Sequence, residues 1–263
     1  MLELKKDDYE ILLEAVLKVP FNTLMARSII SHHVDGKVFV DCYKNPQTFY
    51  IIHPYGMTFL FGKSDNELFN QELFDYFKMS SSSREGDHWL QVFPIEWDNV
   101  LSKLISKEIA IKYSRLNFKF DSAKFYEKYD KIDKTQYKIM PTPAEMLFEI
   151  SGSVVPKDYW SCPRQFSQMA KAFTVIIDGK PASTAFTSAR HDDKLEIGIE
   201  TSKEHHGKGL AYLACGSLIE YCLEEGLEPV WSCRYENVAS VKLAEKLGFV
   251  EILKTPYYHI PII

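Results

Sequence analysis

The sequence predicts a mixed α/β fold (α+β, with mixed sheets) built in two successive halves, on three observations. Apolar–polar alternation of strand length recurs between helical patterns along the whole 263 residues. Pro, Gly and Asn-Pro signals punctuate those runs. One strand, 195–200, runs through a glycine-bearing turn into a helix beginning at Leu210. With 46% apolar residues, the chain can bury one large core or two ordinary ones.

Residues 8–18 and 22–32 read as helices parted near Pro20, and 37–41, 48–53 and 57–61 as strands parted by Asn45-Pro46 and Pro54-Tyr-Gly56. Asp65 opens an amphipathic helix to Phe77, and the polar run 80–86 reads as a surface loop. A strand at 88–93, a helix at 96–106 and a strand at 109–120 complete the first half. The charged stretch 124–138, leading to Met140-Pro-Thr-Pro143, reads as a linker or a strand crossing between domains. Helices follow at 144–150 and 163–171, then a hairpin of 173–177 and 182–188 about Asp178-Gly179, a turn pair that favours positive φ. The strand 194–201 leads to a helix at 210–225, stopped by Gly226. The expected domains are 1–122 (accessory), 123–142 (linker or crossing segment) and 143–263 (catalytic).

The run Glu200-Thr-Ser-Lys-Glu-His-His-Gly-Lys-Gly-Leu-Ala211 suits a phosphate. Unpaired N–H groups in a helix's first turn, with the positive end of its dipole, favour an anion such as a pyrophosphate. Gly207 and Gly209 let such a ligand approach the backbone; the plainer alternative is that they only bend the chain. The dinucleotide fingerprint G-x-G-x-x-G and the P-loop are both absent.

Together with Asn237-Val-Ala-Ser240 and Ala244-Glu-Lys-Leu-Gly-Phe249, that run resembles the GNAT superfamily of acyl-CoA-dependent N-acetyltransferases. The superfamily pattern Q/R-x-x-G-x-G/A falls on His206, Gly207, Lys208, Gly209, Leu210 and Ala211, with His206 in place of Gln or Arg. A closer resemblance, extending upstream through Lys180 and Glu196 and driven by Pro229-Val-Trp-Ser-Cys233 and 244–249, is to the subgroup that includes zwittermicin-type antibiotic-resistance acetyltransferases. The resemblance implies a C-terminal GNAT fold. Element order in the first half matches a degenerate GNAT-like domain, and Asp65 and Glu67 at its helix start would repel a pyrophosphate.

The resemblance further implies acetyl-CoA as co-substrate, with the backbone of Ile199, Glu200 and Thr201 pairing with the pantetheine amides. It implies N–H groups from Gly207 to Ala211 on the pyrophosphate, with His206 donating, and Asn237 and Ser240 nearby. Asn237 is alternatively the N-cap of its own helix, and Ser240 part of that helix's interior. Acetylation requires an unprotonated amine, so a base is needed. Glu196, Gly198 and Glu200 share a strand face, with Gly198 leaving space between the carboxylates. A glutamate of this strand is often the base in the superfamily. Glu196 lies about one residue out of that register, which a β-bulge would absorb, and either glutamate is alternatively a solvated surface charge. Many relatives carry a leaving-group tyrosine where this chain has Ala244, which leaves Tyr212, Cys233 and Tyr235 as candidate acids.

A net charge of −5 argues against a general nucleic-acid binder. The five cysteines show no C-x-x-C spacing and follow no signal peptide, which implies reduced thiols and a cytoplasmic protein. The pairs His32-His33 and His205-His206 lack the spacing of a metal site, and no apolar run reaches a membrane span, so neither metal nor membrane is expected. The sequence therefore predicts an acetyl-CoA-dependent N-acetyltransferase acting by direct transfer on a small amine, with catalytic residues drawn from Glu196, Glu200 and Asn237. The alternative is an acyl-CoA-binding regulatory module with little chemistry.

Overall fold

The computed structural model describes residues 1–79, 84, 86–105, 108–131 and 133–262. Its chain forms two compact units: Met1–Asn117 with Arg234–Glu236 and Leu253–Ile263, and Phe118–Cys233 with Asn237–Ile252. The expected surface loop at 80–86 lies largely outside the described residues. No helix among the described residues is long and apolar enough to cross a membrane.

The first unit opens with β1 (Leu2–Glu3), a two-residue strand too short to read from sequence. A 3-10 stretch, Lys6–Leu12, continues into α1 (Leu13–Leu17) and α2 (Leu24–Ile30). The helix expected at 8–18 is thus only partly α-helical, and Lys5 ahead of it offers no capping acceptor. β2 (Lys37–Val40), β3 (Thr48–Ile52) and β4 (Met57–Gly62) pair antiparallel, and α3 (Glu67–Phe77) crosses to β5 (His88–Phe93), parallel to β4. α4 (Trp97–Ile105) and β6 (Ile111–Phe120) follow.

The second unit carries α5 (Ser122–Tyr129), β7 (Lys138–Pro141), α6 (Ala144–Phe148) and α7 (Pro163–Met169). Then come β8 (Ala172–Ile177), β9 (Lys180–His191), β10 (Lys194–Thr201) and α8 (Leu210–Glu224). The chain ends with β11 (Glu228–Val230), β12 (Ser232–Arg234), α9 (Val238–Lys246) and β13 (Phe249–Ile260). One sheet runs β1-β2-β3-β4-β5-β13-β6-β12, the other β11-β10-β9-β8-β7. The division between units falls within β6, β12 and β13.

Both units use one plan: a strand, helices, three antiparallel strands, a helix, a strand parallel to the one before that helix, then a helix and a strand. In the first unit, Phe69, Leu73 and Phe77 of α3 and Trp97, Leu101 and Leu104 of α4 pack on Leu60, Leu90, Val92, Tyr258 and Ile260 of the sheet. The helical spacing of those residues is what the sequence pattern displays, and each buried side chain contributes about 1.5–3 kcal/mol.

The stretch expected as a linker or crossing strand from 124 begins as a helix, to Tyr129, and reaches a strand only at Lys138. Asp121 caps α5, accepting from the Lys124 N–H at 3.1 Å, and Phe125 and Tyr129 bury one turn apart. The Tyr129 hydroxyl donates to the Leu213 carbonyl of α8 at 3.2 Å, and its ring fills the space a Cβ at Gly216 would take. Only Phe125 and Tyr129 are buried in this helix, among Lys124, Glu127 and Lys128, too faint a stripe to separate from a polar linker.

Two histidines in the first unit are buried and neutral. The Tyr50 hydroxyl meets Nδ1 of His88 at 2.6 Å, and burial, assisted by nearby Arg84, pushes His88 down to about 3. Burial pushes His53 down to about 4. Unfolding restores the ordinary value near 6.5, so the unfolded chain binds these protons first. Their stabilisation is whole above about pH 6.5 and is lost as pH falls through 4 and then 3, at up to about 1.4 kcal/mol per pH unit for each group. Urea midpoints are expected to drop from pH 7 to pH 4, less steeply in His53→Gln. Profiles of equal slope for the two proteins would contradict the assignment.

Candidate active site

In the second unit β10 pairs with β9 along its length, from Lys194 opposite His191 to Thr201 opposite Ser183. With β11 it pairs only at Lys194, Leu195 and Glu196, opposite Glu228, Pro229 and Val230. Beyond Val230 the chain turns to another partner, the Trp231 carbonyl accepting from the Phe118 N–H at 3.2 Å. Among the described residues, Ile197 to Thr201 therefore have no strand on that edge. An exposed strand edge is a row of donors and acceptors that an extended amide-bearing ligand can pair with.

Glu196 stands at this fork. It is 3% exposed, and Ser232 Oγ donates to its Oε1 at 3.2 Å. The pairing shifts here, since Glu196 faces Ala189 and Ile197 faces Thr187, which leaves Ser188 of β9 as the extra residue. Ser188 Oγ donates to the Glu196 carbonyl at 3.2 Å. The irregularity thus sits at Glu196, with the inserted residue on the neighbouring strand.

Glu200 is held elsewhere. Its Oε2 accepts the N–H groups of Ser153 at 3.0 Å and Val154 at 2.9 Å. Gly152 permits this, because a Cβ there would lie 2.3 Å from the Glu200 Cδ. Gly198 does not leave open space between the carboxylates as the alternation suggests. It lies opposite Phe186, and a Cβ on it would come 2.6 Å from that ring.

At the end of β10 the chain makes a 3-10 turn, Lys203–His205, and enters α8 through Gly207 and Gly209, at φ of 76° and 79°. Gly209 is the N-cap and offers no side chain, and nothing lies within 4 Å of a Cβ built on either glycine. Among the described residues, no side chain caps the Gly207–Ala211 N–H groups. Such an uncapped start, glycine-lined and open, is a place for an anion. His206 turns back, its Nε2 donating to the Thr201 carbonyl at 2.8 Å, and Lys208 Nζ lies 3.1 Å from His205 Nδ1. Leu210 is buried and fixes the first turn of the helix.

Asn237 is the N-cap of α9, its Oδ1 accepting from the Ser240 N–H at 3.2 Å, and Ser240 Oγ accepts from Trp231 Nε1 at 3.2 Å. Asn237 itself is exposed. Ala244 is fully buried. Of the candidate acids, Tyr212 is buried beside Tyr129, with the Lys246 ammonium 4.2 Å from its ring. Cys233 is buried, and Tyr235 is half-exposed beneath Lys254. Ser232, Ser188 and Phe186 carry the geometry around Glu196 without a signal in the sequence, since each acts across strands. Ser232 lies 36 residues from the carboxylate it meets.

The fold agrees with what the chain is similar to. The profile of the GNAT acetyltransferase family matches residues 15–258. The chain belongs to that family and is thereby a GNAT-type N-acetyltransferase. It is 25% identical over 234 residues to the uncharacterized N-acetyltransferase YdfB of Bacillus subtilis (strain 168), covering 88% of each chain. Among solved structures it resembles a GCN5-related N-acetyltransferase-like protein of Streptococcus suis, with a TM-score of 0.73, 19% identity, and 96% and 98% of the two chains covered. It also resembles a tandem GNAT protein of the clavulanic acid biosynthesis pathway, with a TM-score of 0.64, 12% identity, and 100% and 98% covered. These likenesses bear out the mixed α/β class and the GNAT-like first half.

Replacing Glu200 by Gln keeps its shape but removes the charge from two backbone hydrogen bonds. A loss of about 1 kcal/mol in urea unfolding is expected, with CoA affinity by calorimetry held within about threefold. Unchanged stability with a collapse of turnover would instead make Glu200 a catalytic group.

Proposed function

We propose that the chain is an acetyl-CoA-dependent N-acetyltransferase that acylates a small amine by direct transfer in a ternary complex, with the chemistry in the second unit. The observation that carries this is the unpaired edge of β10 running into the uncapped, glycine-lined start of α8. The donor set fits CoA. The backbone of Ile199, Glu200 and Thr201 would take the pantetheine amides, and the N–H groups of Gly207, Lys208, Gly209, Leu210 and Ala211 the pyrophosphate. A Cβ at Gly207 or Gly209 would enter the open space above these groups. Lys208 adds a donor at the rim, while the Nε2–H of His206, expected on the pyrophosphate, is already taken by the Thr201 carbonyl. Asn237 would bond the pantetheine, with Ser240 beside it.

Bound there, acetyl-CoA supplies an activated acetyl thioester. Glu196 would accept the proton that the amine gives up as its nitrogen bonds to the acetyl carbon and the carbon–sulfur bond breaks, CoA leaving as its thiolate, with Ser232 Oγ donating to the Glu196 carboxylate. Glu200, satisfied by Ser153 and Val154, takes no proton in this scheme. The acceptor amine would therefore meet Glu196. The first unit is a GNAT-like companion, for α3 starts differently. Asn66 caps it from within, accepting from the Phe69 N–H at 3.1 Å. Kinship with the zwittermicin-type resistance enzymes has only the Pro229–Cys233 and Ala244–Phe249 segments in its favour.

One observation favours the rival, an acyl-CoA-binding module: Ala244 is buried and can protonate nothing. Incubation with acetyl-CoA and a panel of amines, following free thiol, separates the two. Glu196→Gln is expected to slow thiol release by about 10²–10⁴-fold with CoA affinity kept. Binding of CoA with no thiol release on any amine would favour the module, and wild-type rates in Glu196→Gln would remove Glu196 as the base. Failure to bind CoA would end both readings.

A further inference from the structure

Two arginines of the first unit stand apart from the chemistry above. The Tyr235 N–H donates to the Ser114 carbonyl at 2.8 Å, which sets Arg234 of β12 beside Arg115 of β6 on adjoining strands. Arg115 lies over the Tyr257 ring at 5.3 Å, and Arg234 over Tyr113 at 4.9 Å and Trp89 at 5.2 Å. Both guanidinium groups act electrostatically on Tyr257. Like charges on neighbouring strands repel. Among the described residues no carboxylate forms an ion pair with Arg234. Asp87, two residues before Trp89, is taken by His259 Nε2 at 2.7 Å and the Ile262 N–H at 2.9 Å.

The same sheet face holds a buried acceptor with no donor. Gln91, the register partner of Tyr257, is 2% exposed, and its Oε1 has no hydrogen-bond partner among the described residues. Its Nε2 reaches only the Met57 sulfur at 3.6 Å.

We infer that this face of the first unit is a binding site for a small carboxylic acid that also carries an N–H or O–H donor, an amino or hydroxy acid. Its carboxylate lies on Arg234 and Arg115 and its donor on Gln91 Oε1. A guanidinium fork matches a planar two-oxygen anion, and stacking on Trp89 and Tyr113 holds Arg234 ready at little entropic cost. A phosphate would turn its further oxygens onto those aromatic faces, which repel anions. The site goes beyond acetyl transfer and does not depend on it.

The test is calorimetric titration of the full chain, with and without CoA, against the free L-amino acids, glycolate and malate, their amides, and inorganic phosphate. At least one acid is expected to bind saturably, with its amide weaker by about tenfold or more. Arg234→Gln should weaken that acid by a similar factor. Arg234→Lys, which keeps the charge and loses the fork, should weaken it too, with CoA binding unchanged in both. Thermal unfolding of Arg234→Lys checks that the fold is kept. No saturable acid, acids and amides binding alike, phosphate binding more tightly than every acid, or wild-type affinity in both variants would each overturn the inference. Because CoA binding is read separately, its failure would leave this result intact.

Discussion

Hydrogen bonding between β10 and β11 stops after Glu196 and Val230, and the site follows from that stop. Pro229 lacks an N–H, the register shifts at Glu196, and Trp231 gives its carbonyl to Phe118. Backbone groups in a folded chain are almost always paired, so an edge kept open between strands invites an extended, amide-bearing partner. The same stop places Glu196 at the fork with Ser232 as its neighbour, buried yet next to the edge a ligand would use.

The two units show how one topology leaves a helix start open in one copy and capped in the other. Each runs a strand into a helix that crosses to a parallel strand. Before α3, Gly62 is packed against the Gln47 carbonyl, and Asn66 satisfies the first turn from within. Before α8, Gly207 and Gly209 face open space, and the cap is a glycine. A capping side chain contributes about 0.5–2 kcal/mol to its helix. α8 forgoes that contribution, which leaves its first-turn donors for the CoA proposed above.

Much of this was legible in the sequence because it is local. Alternation gave β2 to β5 and β8 to β10, Asp178-Gly179 gave the hairpin, and helical spacing closed by Gly226 gave α8. α5 was not legible, because its burial rests on distant contacts such as Tyr129 with Leu213 of α8, 84 residues away. In the site, the two-residue period placed Glu196, Gly198 and Glu200 on one face. It could not say that Phe186 covers the glycine or that Ser153 and Val154 take Glu200. Periodicity reports a residue's side of the strand, while packing from distant segments decides what meets it there.

Amide hydrogen exchange across the chain, with and without CoA, tests the central claim most directly. CoA should slow exchange at residues 197–201 along the β10 edge and 207–211 at the start of α8, and leave 63–69 before and within α3 unchanged. Slowing at 63–69, or bound CoA with no change at 207–211, would contradict the assignment of the cradle to the open edge of β10 and the uncapped start of α8.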